Sequence, residues 1–170
     1  EAAQKRRDAY FPGASVTTEP AELLARTDIG VVDIATHPRE RVALIEAALN
    51  AGKHVLSQKP FVLDLDTGRR LADLADAKGL RLAVNQNGRW APYFSYLLKA
   101  VKAGVLGDLQ SLELTMSWDH SWVKGTAFEK IHHLVLYDFA IHWFDIAANV
   151  FDGRKALKVF ATAVPAQGQD

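Results

Sequence analysis

An α/β chain with a parallel sheet, passing into a stretch of α+β character, is the fold the sequence predicts. Three observations predict it. Short apolar runs rich in Val and Ile alternate with helical patterns between residues 30 and 87. The connections between them are short, as in repeated βαβ units. Beyond residue 88 the pattern changes to alternating apolar and polar positions, which suits a half-buried antiparallel strand.

The elements follow in order. Residues 1–10 read as a helix that Pro12-Gly13 breaks. In "EPAELLAR", Pro20 sits in a first helical turn and Leu23-Leu24 supply the apolar contact. "GVVDIAT" (30–36) is a buried parallel strand by composition. Residues 39–52 form a helix closed by Gly52, and "KHVLSQKP" is the next strand. Residues 66–79 form another helix, ended by Gly79, and "LRLAVNQN" (80–87) a third strand. "APYFSYLLKAVKAGVLG" then makes an amphipathic helix with Pro92 early and Gly104 late. Residues 109–118 alternate, with Leu112, Leu114 and Met116 opposed to Ser111, Glu113, Thr115 and Ser117, and residues 156–165 resemble them. The expected regions are 1–88 and 89–170.

Composition narrows the function. The 170 residues hold 20 Lys plus Arg against 20 Asp plus Glu, so no basic excess points to nucleic acid. No apolar run approaches a membrane span, and "EAAQKRRDAY" does not read as a signal peptide, because no apolar core follows its charges. The absence of cysteine excludes a disulfide framework and a thiolate metal site, and is compatible with a cytoplasmic protein.

Ligands of open parallel sheets bind outside the carboxyl ends of the strands. Three such ends are legible: Ala35-Thr36-His37-Pro38, Ser57-Gln58-Lys59-Pro60 and Asn85-Gln86-Asn87-Gly88. Taken alone, Lys59 reads as an ordinary strand-end lysine. Three polar ends on one rim move the reading toward a ligand site.

A second feature is "LVLYDFAIHWFDIAANVFDG" (134–153). Asp138, His142, Asp145, Asn149 and Asp152 fall on one stripe of a continuous helix whose other positions are bulky and apolar. A narrow solvent face is one reading. The other is a mostly buried helix whose polar end faces a cavity, with Asp138 orienting His142 for general acid–base work. A divalent metal on Asp138, His142 and either His132 or His133 is a third, without a recognised metal signature to support it, and no metal is expected.

Together these residues resemble the Gfo/Idh/MocA oxidoreductase family. "AGKHVLSQKP" resembles its Glu-Lys-Pro motif, with Gln58 in the glutamate place. "LAVNQNGRWAPYFSYLLKAVKAGVLGDLQSLEL" resembles its "NRRF-P" passage, with Asn87, Arg89 and Pro92 aligned and Gly88 differing. "LYDFAIHWFD" resembles its D-x-G-x-H segment, with Ala140 in the glycine place. The resemblance implies the C-terminal half of a Rossmann doubly wound sheet followed by part of an α+β domain with a mostly antiparallel sheet. No G-x-G-x-x-G turn occurs in these residues, so an internal fragment of a longer chain is expected.

The resemblance further implies NAD or NADP as cofactor and hydride transfer from a secondary alcohol of a sugar or cyclitol. His142 would accept the hydroxyl proton, Asp138 would position it, and Lys59 would hydrogen-bond the substrate oxygen. Thr36, His37, Pro38, Gln58, Asn87 and Arg89 would contact the cofactor. Trp122 would contact the substrate, or simply pack. A homo-oligomer built through the C-terminal sheet is implied as well. A non-catalytic nucleotide or sugar sensor stays open because Gln58 cannot act as a carboxylate.

Overall fold

A computed structural model describes residues 1–131 and 133–164. The chain divides into two compact units. One takes Glu1–Asn87 and Asp119–Ile141, the other Gly88–Trp118 and the residues from His142 onward. Residues 119–141, assigned by the sequence reading to the second region, therefore pack with the first.

In the first unit, β1 (Val31–Ile34), β2 (His54–Gln58) and β3 (Leu82–Asn85) form a parallel sheet in the order β1-β2-β3. The register pairs Ile34 with Ser57 and Gln58 with Asn85. The central strand therefore ends beside a polar end on one neighbour. Around the sheet lie α1 (Ala2–Tyr10), α2 (Pro20–Ala25), α3 (Pro38–Asn50) and α4 (Leu65–Ala77). Ile34 and Val55 from the sheet meet Ile45, Ala48 and Leu49 of α3 and Leu71 and Ala75 of α4 in one buried cluster. Helix α1 buries none of its residues.

Local chemistry fixes the helix ends. Proline occupies the first turn of α2 and α3, where its missing N–H costs no helical bond. Asp64 caps α4 by accepting a hydrogen bond from the Thr67 N–H at 2.7 Å. At the other end, α3 and α4 finish in the same six-residue closure. Gly52 and Gly79 adopt φ of 74° and 66°, and the N–H groups of Lys53 and Leu80 return to the carbonyls of Ala48 and Ala75. Both alanines are buried, so the closure and the core are coupled.

In the second unit, α5 (Pro92–Lys102) follows a single 3₁₀ turn at Asn87–Trp90, and α6 is Ile141–Val150. One expectation is corrected. The continuous helix over 134–153 is replaced by a π-helical turn at Val135–Phe139 and then α6. The wider turn is closed by the Ala140 N–H on the Val135 carbonyl at 2.7 Å, so Asp138 and His142 do not share one regular α-helical stripe. Residues 109–118 and 156–164 join no hydrogen-bonded ladder among the described residues, and Pro165 lies outside them. A strand needs a neighbour to accept its bonds. The expected alternation survives in part as exposure: Leu112 and Leu114 are half-buried while Ser111, Glu113 and Thr115 are exposed, but Met116, expected beside the two leucines, is exposed as well. No described helix is long and apolar enough to cross a membrane.

Candidate active site

The rim at the carboxyl ends of β1 and β2 is organised by a residue the sequence reading passed over. Arg41 stands in the first turns of α3 and is 4% exposed. Its Nε and Nη2 donate to the Thr36 carbonyl at 2.9 and 2.8 Å. Its Nη1 donates to the carbonyls of Gln58 at 2.9 Å and Pro60 at 2.5 Å. One planar guanidinium thus joins the segment after β1 to the segment after β2. Burial pulls its pKa down, and the negative charge of Asp138 opposes that. The signal was present: Arg41 precedes Ile45 by four positions and Ala48 by seven, on the buried face of α3.

Lys59 continues from β2 into a cis peptide bond with Pro60. Its ammonium donates to the backbone carbonyl of Asp138 at 2.6 Å and lies 3.1 Å from the Asp138 carboxylate. The side chains are 16% and 10% exposed. The Phe139 ring covers the same ammonium, 5.5 Å from its centroid. Gln58 turns its Oε1 back to accept the Lys59 N–H at 2.9 Å. Glutamine and glutamate share that acceptor function.

Residues 119–141 bring an aromatic cluster to this rim. Trp122 meets Phe128 at 5.7 Å and Phe139 at 6.3 Å, while His37 meets Phe128 at 5.9 Å. His120 stands edge-on to Phe139 at 4.4 Å. Trp122 keeps 47% exposure, so it packs and still presents a face to solvent. Beside it, Thr36 Oγ1 and His37 Nε2 are enclosed without a hydrogen-bond partner. Buried polar atoms of this kind are normally satisfied, and a ligand with polar groups would satisfy them. Pro38 opens α3 next to them, and Asn87 is exposed at the start of the 3₁₀ turn after β3. Gln86 donates to the Ile141 carbonyl at 2.9 Å, tying the end of β3 to the 119–141 segment.

In the second unit, Arg89 forms a two-pronged ion pair with Asp145. Its Nε donates to Oδ2 at 2.9 Å and its Nη2 contacts Oδ1. Asn149 donates to the Asp145 backbone carbonyl at 2.7 Å. Of the polar stripe, Asp145 thus holds the 3₁₀ turn, while Asn149 and Asp152 are exposed. Arg89, expected at the cofactor, has two guanidinium nitrogens committed to Asp145. His142 lies against Gly88 in the same unit. Among the described residues no cluster of three acidic or histidine side chains could hold a metal; His132 lies outside them.

Residues 1–86 match the family described as oxidoreductases with an NAD-binding Rossmann fold. The inositol 2-dehydrogenase of Rhizobium meliloti is 32% identical over 151 residues, covering 89% of this chain and 44% of that protein. The scyllo-inositol 2-dehydrogenase (NADP(+)) IolW of Bacillus subtilis is 30% identical over 149 residues, covering 86% and 42%. The solved structure of yvaA from Bacillus subtilis superimposes with a TM-score of 0.70 at 26% identity, over 89% of this chain and 43% of that one. The chain thus spans less than half the length of the relatives it matches. Its parallel sheet, its polar strand ends and these matches agree: the chain belongs to the Gfo/Idh/MocA family of oxidoreductases with an NAD-binding Rossmann fold.

Proposed function

We propose that the full-length protein reversibly oxidises a secondary alcohol of a sugar or cyclitol, with NAD or NADP as hydride acceptor. The observation that carries the reading is the enclosed Lys59 ammonium, held by Asp138 at the carboxyl end of the central parallel strand. A fixed cation there can hydrogen-bond a substrate oxygen and stabilise negative charge as it develops. His142 accepts the hydroxyl proton, as a neutral imidazole can. Asp138 fixes the Lys59 ammonium, and its place four residues before His142 gives it a positioning role toward the imidazole.

Thr36, His37, Pro38 and Gln58 hold the cofactor, with Asn87 and Arg89 beyond β3. The enclosed Thr36 Oγ1 and His37 Nε2 fit a ligand rich in hydroxyl and amide groups. When bound, the nicotinamide supplies a two-electron hydride acceptor. Trp122 offers its exposed face to the substrate. Names of relatives support the cyclitol class, since two of them act on inositols by their descriptions. The acceptor bond made by Gln58 favours a working site over a decayed sensor.

Residues 109–118 and 156–164 complete an antiparallel sheet through which copies associate in a cytoplasmic homo-oligomer. The exposed Leu157, Val159 and Phe160 support this, at 95%, 86% and 90% exposure.

The test is an assay of the full-length protein against a polyol panel with each cofactor, beside Lys59→Ala and His142→Ala. Cofactor-dependent turnover in the wild type, lost in both variants, is expected. Wild-type turnover in both variants would remove the mechanism. Light scattering of the same samples reads the oligomer.

A further inference from the structure

We propose that Gly88 is a positioning residue for His142, its missing side chain leaving the room in which the imidazole is seated. The inference rests on the reading of His142 as the acid–base group. A Cβ placed on Gly88 would stand 2.6 Å from His142 Nδ1, 3.0 Å from its Cγ and 3.2 Å from its Cβ. Carbon does not approach nitrogen or carbon so closely without displacement. Two of the three contacts involve the root of the side chain. Rotating the ring relieves the contact with Nδ1, yet the contact with Cβ requires the backbone of α6 to retreat.

That retreat is opposed. Arg89, the next residue, grips Asp145 with two nitrogens, and Asp145 lies one turn after His142 on α6. The Asp145 side chain is 14% exposed and the Arg89 side chain 33%. Ser95 also donates to the Arg89 carbonyl at 3.0 Å, fixing the 3₁₀ turn to the start of α5. The turn and the helix are thus clamped one residue away from the point of closest approach. Within that clamp only glycine leaves room for the ring, whose Nδ1 edge is turned to the backbone. Position 88 is also where the sequence leaves the "NRRF-P" pattern. The departure and the tight seat of the imidazole are one feature.

The experiment is a cycle of Gly88→Ala, His142→Ala and the double variant in the full-length protein. It reads turnover, cofactor affinity and melting temperature. Gly88→Ala is expected to lower kcat by about tenfold or more, as a displacement near 1 Å does. Cofactor affinity is expected to stay within about twofold. Gly88→Ala is also expected to melt below the wild type. In the His142→Ala background, where the ring is gone, the added methyl group has room. There Gly88→Ala is expected to change neither melting temperature nor residual turnover. An equal fall in melting temperature with and without the imidazole would overturn the contact while leaving the catalytic reading intact. Undiminished turnover in His142→Ala would overturn the catalytic reading, and the positioning role of Gly88 with it.

Discussion

The Lys59 ammonium donates to the main-chain carbonyl of Asp138 at 2.6 Å and faces the carboxylate of the same residue at 3.1 Å. A residue seventy-nine positions downstream thus offers it two acceptors, one of which no side-chain substitution removes. Asp138→Asn keeps an acceptor oxygen and the carbonyl, so a loss of about 1 kcal/mol is expected. Lys59→Met leaves a buried carboxylate alone, and about 2–4 kcal/mol is expected. Urea unfolding of the two variants checks the order.

Arg41 gives the second expectation. Arg41→Met takes a donor from three carbonyls, at Thr36, Gln58 and Pro60, of which Gln58 keeps the Ser57 hydroxyl at 3.2 Å. A loss of about 3 kcal/mol or more is expected from unsatisfied buried acceptors. Arg41→Lys supplies one ammonium where a fork spanned two segments, and it is expected to rescue less than half. Cofactor affinity is expected to fall in both, because Thr36 and Gln58 stand on the segments it joins. Thermal melts and titration calorimetry on the full-length protein measure the two effects separately.

The cap of α4 gives a dependence on pH. The hydrogen bonds from Thr67 hold the Asp64 carboxyl below its ordinary value. A carboxylate whose folded pKa is lowered stabilises the fold above its unfolded pKa, near 4, and the contribution is lost as pH falls through the folded value. Asp64→Ala is therefore expected to melt below the wild type at neutral pH. The gap is expected to narrow as pH falls from about 4 downward. A gap that widened in acid would reverse the assignment.

Packing around α4 gives the last. A Cβ on Gly68 would come within 2.8 Å of Val62 Cγ2 and 3.4 Å of Phe61 Cε1. Gly68→Ala improves helix propensity yet overfills this contact, and a net loss of about 1–2 kcal/mol is expected. Gly68→Ala with Val62→Ala is expected to recover part of it. Denaturant midpoints of the three proteins decide the outcome.

What the sequence disclosed follows from what carries a period. The runs "GVVDIAT" and "KHVLSQKP" announced β1 and β2 because β-branched residues bounded by turn signals leave few alternatives. Lys59 and Asp138 were chosen separately, one from a strand end and one from a helical stripe, and the structure joins them. Arg41 was passed over because a charged residue near a helix start reads as solvated unless its phase against Ile45 is followed. The segment 119–131 was opaque for a different reason. It folds in single 3₁₀ turns at Ser121–Val123 and Ala127–Lys130, and neither repeats a pattern. Its aromatic residues could belong to any core until the chain closed on the rim.

The paired closures at Gly52 and Gly79 have a consequence for change in the molecule. Each turns the chain from a helix into the next strand, so the devices that set strand entry lie at one end of the sheet. Thr36, Gln58 and Lys59 lie at the other, where the strands finish. Instructions for assembly and instructions for chemistry are thereby kept apart along β2 and β3. Selection or engineering can rewrite the chemical end residue by residue while the scaffold keeps threading itself from the far side.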